Sequence, residues 1–170
     1  MVYESIGAWL RAVCRVWAIF GGCLLVAVAL VTVASIIGRA GIPLGLGPVP
    51  GDFELVEAGA AVAVFCFLPW CQLHRGHVTV DILVDRFPPR LKAALTALGD
   101  VTLLLVSVVI AWRLWLGLGE KIAYQETTFI LQMPVWYGFA LGMPGAALFA
   151  LAALYSLWGS VLQTMGARAA

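Results

Sequence analysis

The chain has few charged residues and almost no histidine. Of its 170 residues, 11% are charged and two are His, whereas 63% are hydrophobic and the mean hydropathy is +1.01. The polar residues are too few to cover the surface of a soluble globule of this size. The composition therefore excludes a soluble domain and indicates a protein embedded in a lipid bilayer. We expect no nucleic-acid partner.

The sequence also lacks the spacing of a redox or metal site. All four cysteines lie in or beside apolar runs and none forms a CxxC motif: Cys14, Cys23, Cys66 and Cys71. They are expected to be buried apolar thiols. His74 and His77 have no obvious third ligand and no histidine pair for haem. We therefore expect no metal, no cofactor and no enzymatic activity.

Four apolar runs are long enough to cross a bilayer as helices. They cover approximately residues 13–38, 53–73, 93–118 and 130–162. Because the pieces between them are short, residues 1–170 are predicted to form a single all-α membrane domain. A cleaved signal peptide is an alternative for the first run. That run is longer than a usual signal-peptide core and has no clear cleavage site before Arg39, so a retained helix is favoured.

The distribution of Lys and Arg predicts the orientation of these helices. Seven basic residues lie in the N-terminal flank, the middle loop and the C-terminus: Arg11, Arg15, Arg75, Arg86, Arg90, Lys92 and Arg168. The first and third connections have only Arg39 and Lys121. The positive-inside rule then places both termini in the cytoplasm. Plain helical spans without a barrel pattern or a lipid-attachment signal are typical of a bacterial inner membrane protein.

Residues 77–88 have the pattern of a short amphipathic helix between the second and third spans. Four apolar residues follow the spacing i, i+3, i+4, i+7: Val80, Leu83, Val84 and Phe87. Residues 78–82 also alternate as a strand would. An unpaired strand at a membrane surface leaves backbone groups without partners, so an interfacial helix is favoured.

Ionisable residues inside the spans are the candidates for function. Glu54 and Glu57 are three residues apart and share one face of the second helix. They could form an ion-coupling site or an acidic contact for another helix. The favoured interpretation is that both lie in the outermost turns, within reach of water and near the positive end of the helix dipole. Asp100 lies farther inside the third span and is expected to face protein, whereas Arg113 can snorkel outward.

Small residues mark the expected packing faces of the helices. Gly138 and Gly142 form a GxxxG pattern in the fourth span, and Gly59 with Ala63 forms a weaker version in the second. Such residues let helix backbones approach closely in a membrane, where no hydrophobic effect drives helices together. We predict that these four residues take part in helix packing.

Several short motifs, taken in order, resemble one known family. They are Gly38-Arg39, Phe53-Glu54-Leu55-Val56-Glu57, Arg75-Gly76-His77-Val78, Asp81-Ile82-Leu83-Val84-Asp85-Arg86, Pro88-Pro89-Arg90-Leu91 and Gln132-Met133-Pro134-Val135-Trp136-Tyr137, with Gly142 and Pro144 following. Their order and spacing resemble the small membrane subunit of tripartite ATP-independent periplasmic (TRAP) transporters, over nearly the whole chain.

The resemblance implies a scaffold subunit of a secondary-active transporter, without catalysis. In that family the small subunit joins a large multi-helix membrane subunit, and a periplasmic substrate-binding protein delivers an organic acid, often a carboxylate. Polar residues of the motifs and spans are our candidates for subunit contacts or structural pairing: Arg39, Glu54, Glu57, Arg75, His77, Asp81 and Asp100.

Two other functions are consistent with a chain of this kind. One is a self-contained transporter, in which four-helix copies assemble around a membrane glutamate. The other is a membrane anchor for a redox enzyme, against which the lack of suitably spaced histidines argues.

Overall fold

In the part of the chain that the structure describes, the fold is all-helical, with four helices long and apolar enough to cross a membrane. The structure is a computed structural model and describes residues 2–76 and 89–166. Its elements are α1 (Val2–Ala40), a short 3-10 helix (Ile42–Leu44), α2 (Asp52–Leu73), α3 (Pro89–Tyr124) and α4 (Trp136–Gly166). This confirms the predicted helical class and the number of spans. The amphipathic segment predicted at 77–88, which includes His77 and Asp81, lies outside the described residues.

The helices extend beyond the predicted spans at most ends. α1 begins at Val2, well before the apolar run, and α3 continues to Tyr124. An apolar run marks only the part of a helix that needs lipid around it, whereas backbone hydrogen bonding continues into water. The start of the fourth span differs, because α4 begins only at Trp136 and residues 130–135 belong to the preceding loop.

The four helices lie in a row in the order α1, α2, α4, α3. α1 packs on α2, α2 on α4, and α4 on α3, whereas α1 and α4 touch only slightly. In the most apolar stretch of each helix, 44% of α4 is buried but only 11% of α1 and of α3. The two outer helices therefore present most of their apolar surface to whatever surrounds the chain.

Small residues lie where neighbouring backbones approach one another. A Cβ on Gly59 of α2 would collide with Val28 of α1, and a Cβ on Gly142 of α4 would lie 3.1 Å from the Phe65 ring of α2. Ala63 is buried. A Cβ on Gly138, in contrast, would meet no atom of the described residues within 4 Å. Any packing role of Gly138 would therefore involve a contact outside the described residues.

Gly145 of α4 lies very close to the backbone of α2, and this glycine was not singled out from the sequence. A Cβ there would collide with the Phe65 carbonyl oxygen and carbon, which are backbone atoms that cannot rotate away. We expect Gly145→Val to destabilise the isolated chain by about 1–3 kcal/mol, as overpacking of a core does. Thermal unfolding in detergent measures this. Gly138→Val is the matched control on the same helix, and an equal loss in both variants would contradict the assignment.

Candidate functional site

Polar residues gather at the two ends of the helix row. We call the end where α1 begins and α4 finishes the terminal end, and the opposite end, with the connections 41–51 and 125–135, the loop end. Three polar clusters tie neighbouring elements together at these ends. The charged residues of the clusters were mostly recognised from the sequence, whereas their partners were mostly not.

The cluster at the terminal end joins α2, α3 and α4. The Arg75 guanidinium donates to Asp100 Oδ2 at 3.3 Å and to Ser160 Oγ at 2.8 Å. The Ser160 hydroxyl donates in turn to Asp100 Oδ2. Asp100 is 6% exposed and Ser160 is also buried, while the Arg75 side chain is half-exposed. A carboxylate taken out of water in this way needs charged and hydrogen-bonding partners, and this cluster provides both.

The backbone around Arg75 closes helix α2. The Gly76 amide donates to the Cys71 carbonyl at 2.9 Å, and the Arg75 amide donates to the Gln72 carbonyl at 3.1 Å. This is the Schellman pattern, in which the residue after the cap takes a left-handed conformation and is usually glycine. Here that residue is Arg75, with a φ of 49°. This conformation is strained for a residue with a side chain, and it directs the Arg75 guanidinium back toward Asp100.

Glu54 holds the connection between α3 and α4 at the loop end. Its two carboxylate oxygens accept from the amides of Ile130 at 2.6 Å and of Leu131 at 2.9 Å. Hydrogen bonds from backbone N–H groups to a carboxylate are stronger than those between neutral groups. Glu54 also lies in the first turn of α2, where the helix dipole favours a negative charge. One side chain thus fixes the α3–α4 loop on top of α2.

The same loop is ordered by its own hydrogen bonds. The Thr128 amide donates to the Met133 carbonyl at 2.9 Å, and the Val135 amide donates to the Glu126 carbonyl at 3.0 Å. Between these pairs, Phe129 is 92% exposed. The loop therefore presents an aromatic side chain outward from a backbone that is held in place.

A third cluster joins α1 to α2 at the loop end. The Ser35 hydroxyl donates to Asp52 Oδ2 at 2.5 Å, and the Arg39 guanidinium lies 3.3 Å from the same oxygen. The Val49 amide donates to Ser35 Oγ at 3.3 Å, which ties in the 41–51 connection. Ser35 is 1% exposed. Arg39 therefore pairs with Asp52, the residue that opens α2.

Glu57 belongs to none of these clusters. It is exposed, and no hydrogen-bond or ion-pair partner for it lies within residues 2–76 and 89–166. Its side chain lines a cleft of about 600 Å³ between α1, α2 and α4. The remaining walls are largely apolar and include Val28, Phe65, Gly138 and Leu141. Glu54 and Glu57 share a helix face, but only Glu54 reaches the loop.

Sequence reasoning missed five partners of the charged residues: two serine hydroxyls, two backbone amides and one carboxylate. Ser35 and Ser160 lie inside long apolar helices, and serine there usually hydrogen-bonds to its own helix backbone. The backbone amides of Ile130 and Leu131 cannot be recognised as partners from residue types, because every non-proline residue has such an amide. Asp52 was not singled out either, because no local pattern pairs it with Arg39 across 13 positions.

Comparison with known families covers most of the chain. Residues 28–163 match the family of tripartite ATP-independent periplasmic transporters, DctQ component. The matched region includes α2, α3, almost all of α4 and all three polar clusters. No curated protein matches the chain significantly.

Proposed function

The chain belongs to the DctQ component family of tripartite ATP-independent periplasmic transporters, and on that premise we propose that it is the fixed scaffold of its transporter. It associates with a large multi-helix membrane subunit, which carries the substrate and the coupling ion. A periplasmic binding protein delivers the substrate, an organic acid and most simply a carboxylate. The family is one of transporter components, and the role proposed for this chain is structural.

The proposal is supported by a row of helices whose two ends are held together by polar clusters. A scaffold has to keep its shape while a transport domain moves beside it. Polar clusters join α1 to α2 at the loop end, α2 to the α3–α4 connection at the same end, and α2, α3 and α4 at the terminal end. The outer helices remain largely uncovered. Such a layer offers a partner a broad apolar surface without any internal rearrangement.

We further propose that both termini are cytoplasmic and that the membrane is the bacterial inner membrane. Support comes from the excess of Lys and Arg in the N-terminal flank, the 74–92 segment and the C-terminus. In this orientation the loop end faces the periplasm. There the ordered 125–135 loop, with Phe129 exposed, is a surface available to the binding protein. Labelling of single cysteines introduced at Gly47 and at the N-terminus, in intact and in opened cells, tests the orientation.

No residue of this chain is proposed to coordinate substrate or ion. Glu57 supports the alternative of a self-contained homo-oligomeric transporter, because it is a carboxylate beside a cleft and has no partner among the described residues. However, Glu57 lies only five residues from the start of α2, or about 8 Å along the axis. Ion-coupling carboxylates are typical of the middle of the membrane, so the scaffold role is favoured.

Affinity purification of the tagged chain from its native membrane in mild detergent tests the proposal. We expect a large multi-helix membrane protein in constant ratio to the tagged chain, identified by mass spectrometry. Recovery of the chain alone as a stable homo-oligomer, with uptake activity after reconstitution, would favour the alternative and overturn the scaffold role.

A further inference from the structure

Arg113 is the one charged residue of α3 between Asp100 and Glu120. It is exposed, and the described part of the chain contains no hydrogen-bond or ion-pair partner for it. Asp100, in contrast, is buried and paired. An exposed, unpaired guanidinium in a membrane helix is costly unless something outside the chain compensates it.

The depth of Arg113 follows from helix geometry. Asp100, in the cluster at the terminal end, and the exposed Glu120, near the loop end, mark the two polar levels of α3. They are 20 residues apart, or about 30 Å along the helix, which equals the thickness of the apolar part of a bilayer. Arg113 lies about 20 Å from the level of Asp100 and about 10 Å from the level of Glu120. Its Cα is therefore well inside the apolar layer.

The direction of the side chain makes snorkelling difficult. Helical Cα–Cβ bonds tilt toward the N-terminus of the helix, and long side chains follow that direction. For Arg113 the nearer membrane surface is at the C-terminal end of α3, so its side chain starts out toward the middle of the bilayer. A phospholipid phosphate at the nearer surface therefore lies opposite to the direction in which the Arg113 side chain leaves the helix. A partner group at the depth of Arg113 is easier for the guanidinium to reach.

Arg113 belongs to a continuous exposed face of the helix. Val106 and Val109 lie seven and four residues before Arg113, and Leu116 lies three residues after it. This spacing places all three on the same side of α3 as Arg113, and all three are exposed. We call these four residues the Arg113 surface. Ser107, fully buried, and Asp100, which accepts from Ser160 of α4, lie more than about 100° around the helix from Arg113 and mark the side of α3 that packs on α4.

We propose that the Arg113 surface docks a transmembrane helix of the large subunit that carries an Asp or Glu at the depth of Arg113. The proposal rests on the scaffold function above and adds the face and the chemistry of the contact. An arginine fork binds a carboxylate through two parallel hydrogen bonds, and both charges are then removed from lipid together. The apolar residues on either side supply the close packing that holds membrane helices together.

The test measures how much large subunit copurifies with the tagged full-length chain from native membranes. We expect Arg113→Glu to lower the ratio of large to small subunit at least tenfold, since two acidic groups would then face each other in lipid. Arg113→Lys keeps the charge and should retain a larger share of the complex than Arg113→Glu. Arg15→Glu reverses an exposed arginine on α1 that has no hydrogen-bond or ion-pair partner in the described ranges, and it should leave the ratio unchanged.

A photo-crosslinking residue at Val109, with Arg113 intact, keeps the test valid if the charge variants fail to insert. A crosslink to the large subunit supports the proposal, and a crosslink to lipid alone overturns it. An unchanged ratio for Arg113→Glu, in a preparation where the unaltered chain does recover the large subunit, overturns this contact and leaves the scaffold function standing. Failure of the unaltered chain to recover any large subunit overturns both.

Discussion

Arg75→Gly is expected to destabilise the chain by about 2 kcal/mol or more, although glycine suits the backbone at this position better than arginine does. Among the described residues, the substitution leaves the buried Asp100 carboxylate with Ser160 as its remaining partner. Removing one partner of a fully buried ion pair costs about 3–5 kcal/mol, and the half-exposed Arg75 side chain lowers that figure. The melting temperature of the purified chain in detergent measures the loss.

The choice of glycine removes one ambiguity from this experiment. The φ of 49° strains any residue with a Cβ, so Arg75→Ala would keep the strain, whereas Arg75→Gly relieves it. A loss of stability in Arg75→Gly therefore reports the missing guanidinium.

A second substitution and a control complete the test. Asp100→Asn added to Arg75→Gly removes the uncompensated charge and should restore part of the lost stability. Thr102→Ala on the same helix removes an exposed hydroxyl that bonds to the Leu98 carbonyl of its own helix, and it should change little. No recovery in the double variant would show that the carboxylate is not the cause.

Glu54→Ala is expected to release the 125–135 loop while leaving the helices in place. Each hydrogen bond from a backbone amide to the charged carboxylate contributes about 1.5–3 kcal/mol, and the variant loses two of them. Water replaces part of this loss because Ile130 is exposed. Hydrogen exchange of a peptide covering the loop should become at least about tenfold faster.

Glu57→Ala is the matched control for the loop experiment. Glu57 lies three residues further along α2, has the same charge and contacts no polar partner in the described ranges. Its removal should leave exchange of the loop unchanged. Equal acceleration in both variants would mean that the net charge at the loop end, and not the hydrogen bonds of Glu54, orders the loop.

These two predictions bear on the scaffold role in different ways. Arg75 and Asp100 secure the terminal end, where α2, α3 and α4 meet, so their loss should loosen the row itself. Glu54 secures a surface at the loop end and should affect only what binds there. Copurification of the large subunit is therefore expected to fall for Arg75→Gly and to persist for Glu54→Ala.

The number and type of elements could be predicted from the chain because hydropathy is a local property. Four apolar runs had to become helices, since only a helix satisfies its backbone hydrogen bonds within one segment in lipid. Helix ends were predicted less well. The fourth apolar run begins near residue 130, yet α4 begins at Trp136, because Glu54 captures the amides of Ile130 and Leu131 from a distant part of the chain.

The candidate polar residues could be recognised in part. A charge inside an apolar run is conspicuous, so Asp100 and Glu54 were singled out. Their partners were not, since Ser160 is 60 residues from Asp100 and the amides of the loop are not side chains at all. The amphipathic segment 77–88, with His77 and Asp81, remains a prediction.

The sequence alone determined the membrane class, the four helices and the resemblance to TRAP small subunits. Composition, hydropathy and the ordered motifs show these features because each can be recognised from residues close together in the chain. Tertiary structure alone decided the order α1, α2, α4, α3, the partners of the buried charges and the exposure of Arg113. A hydropathy pattern says that a helix lies in lipid but not which helix lies beside it. Neighbours are chosen by close contacts such as Gly145 on Phe65 and Gly59 on Val28, between residues far apart in sequence.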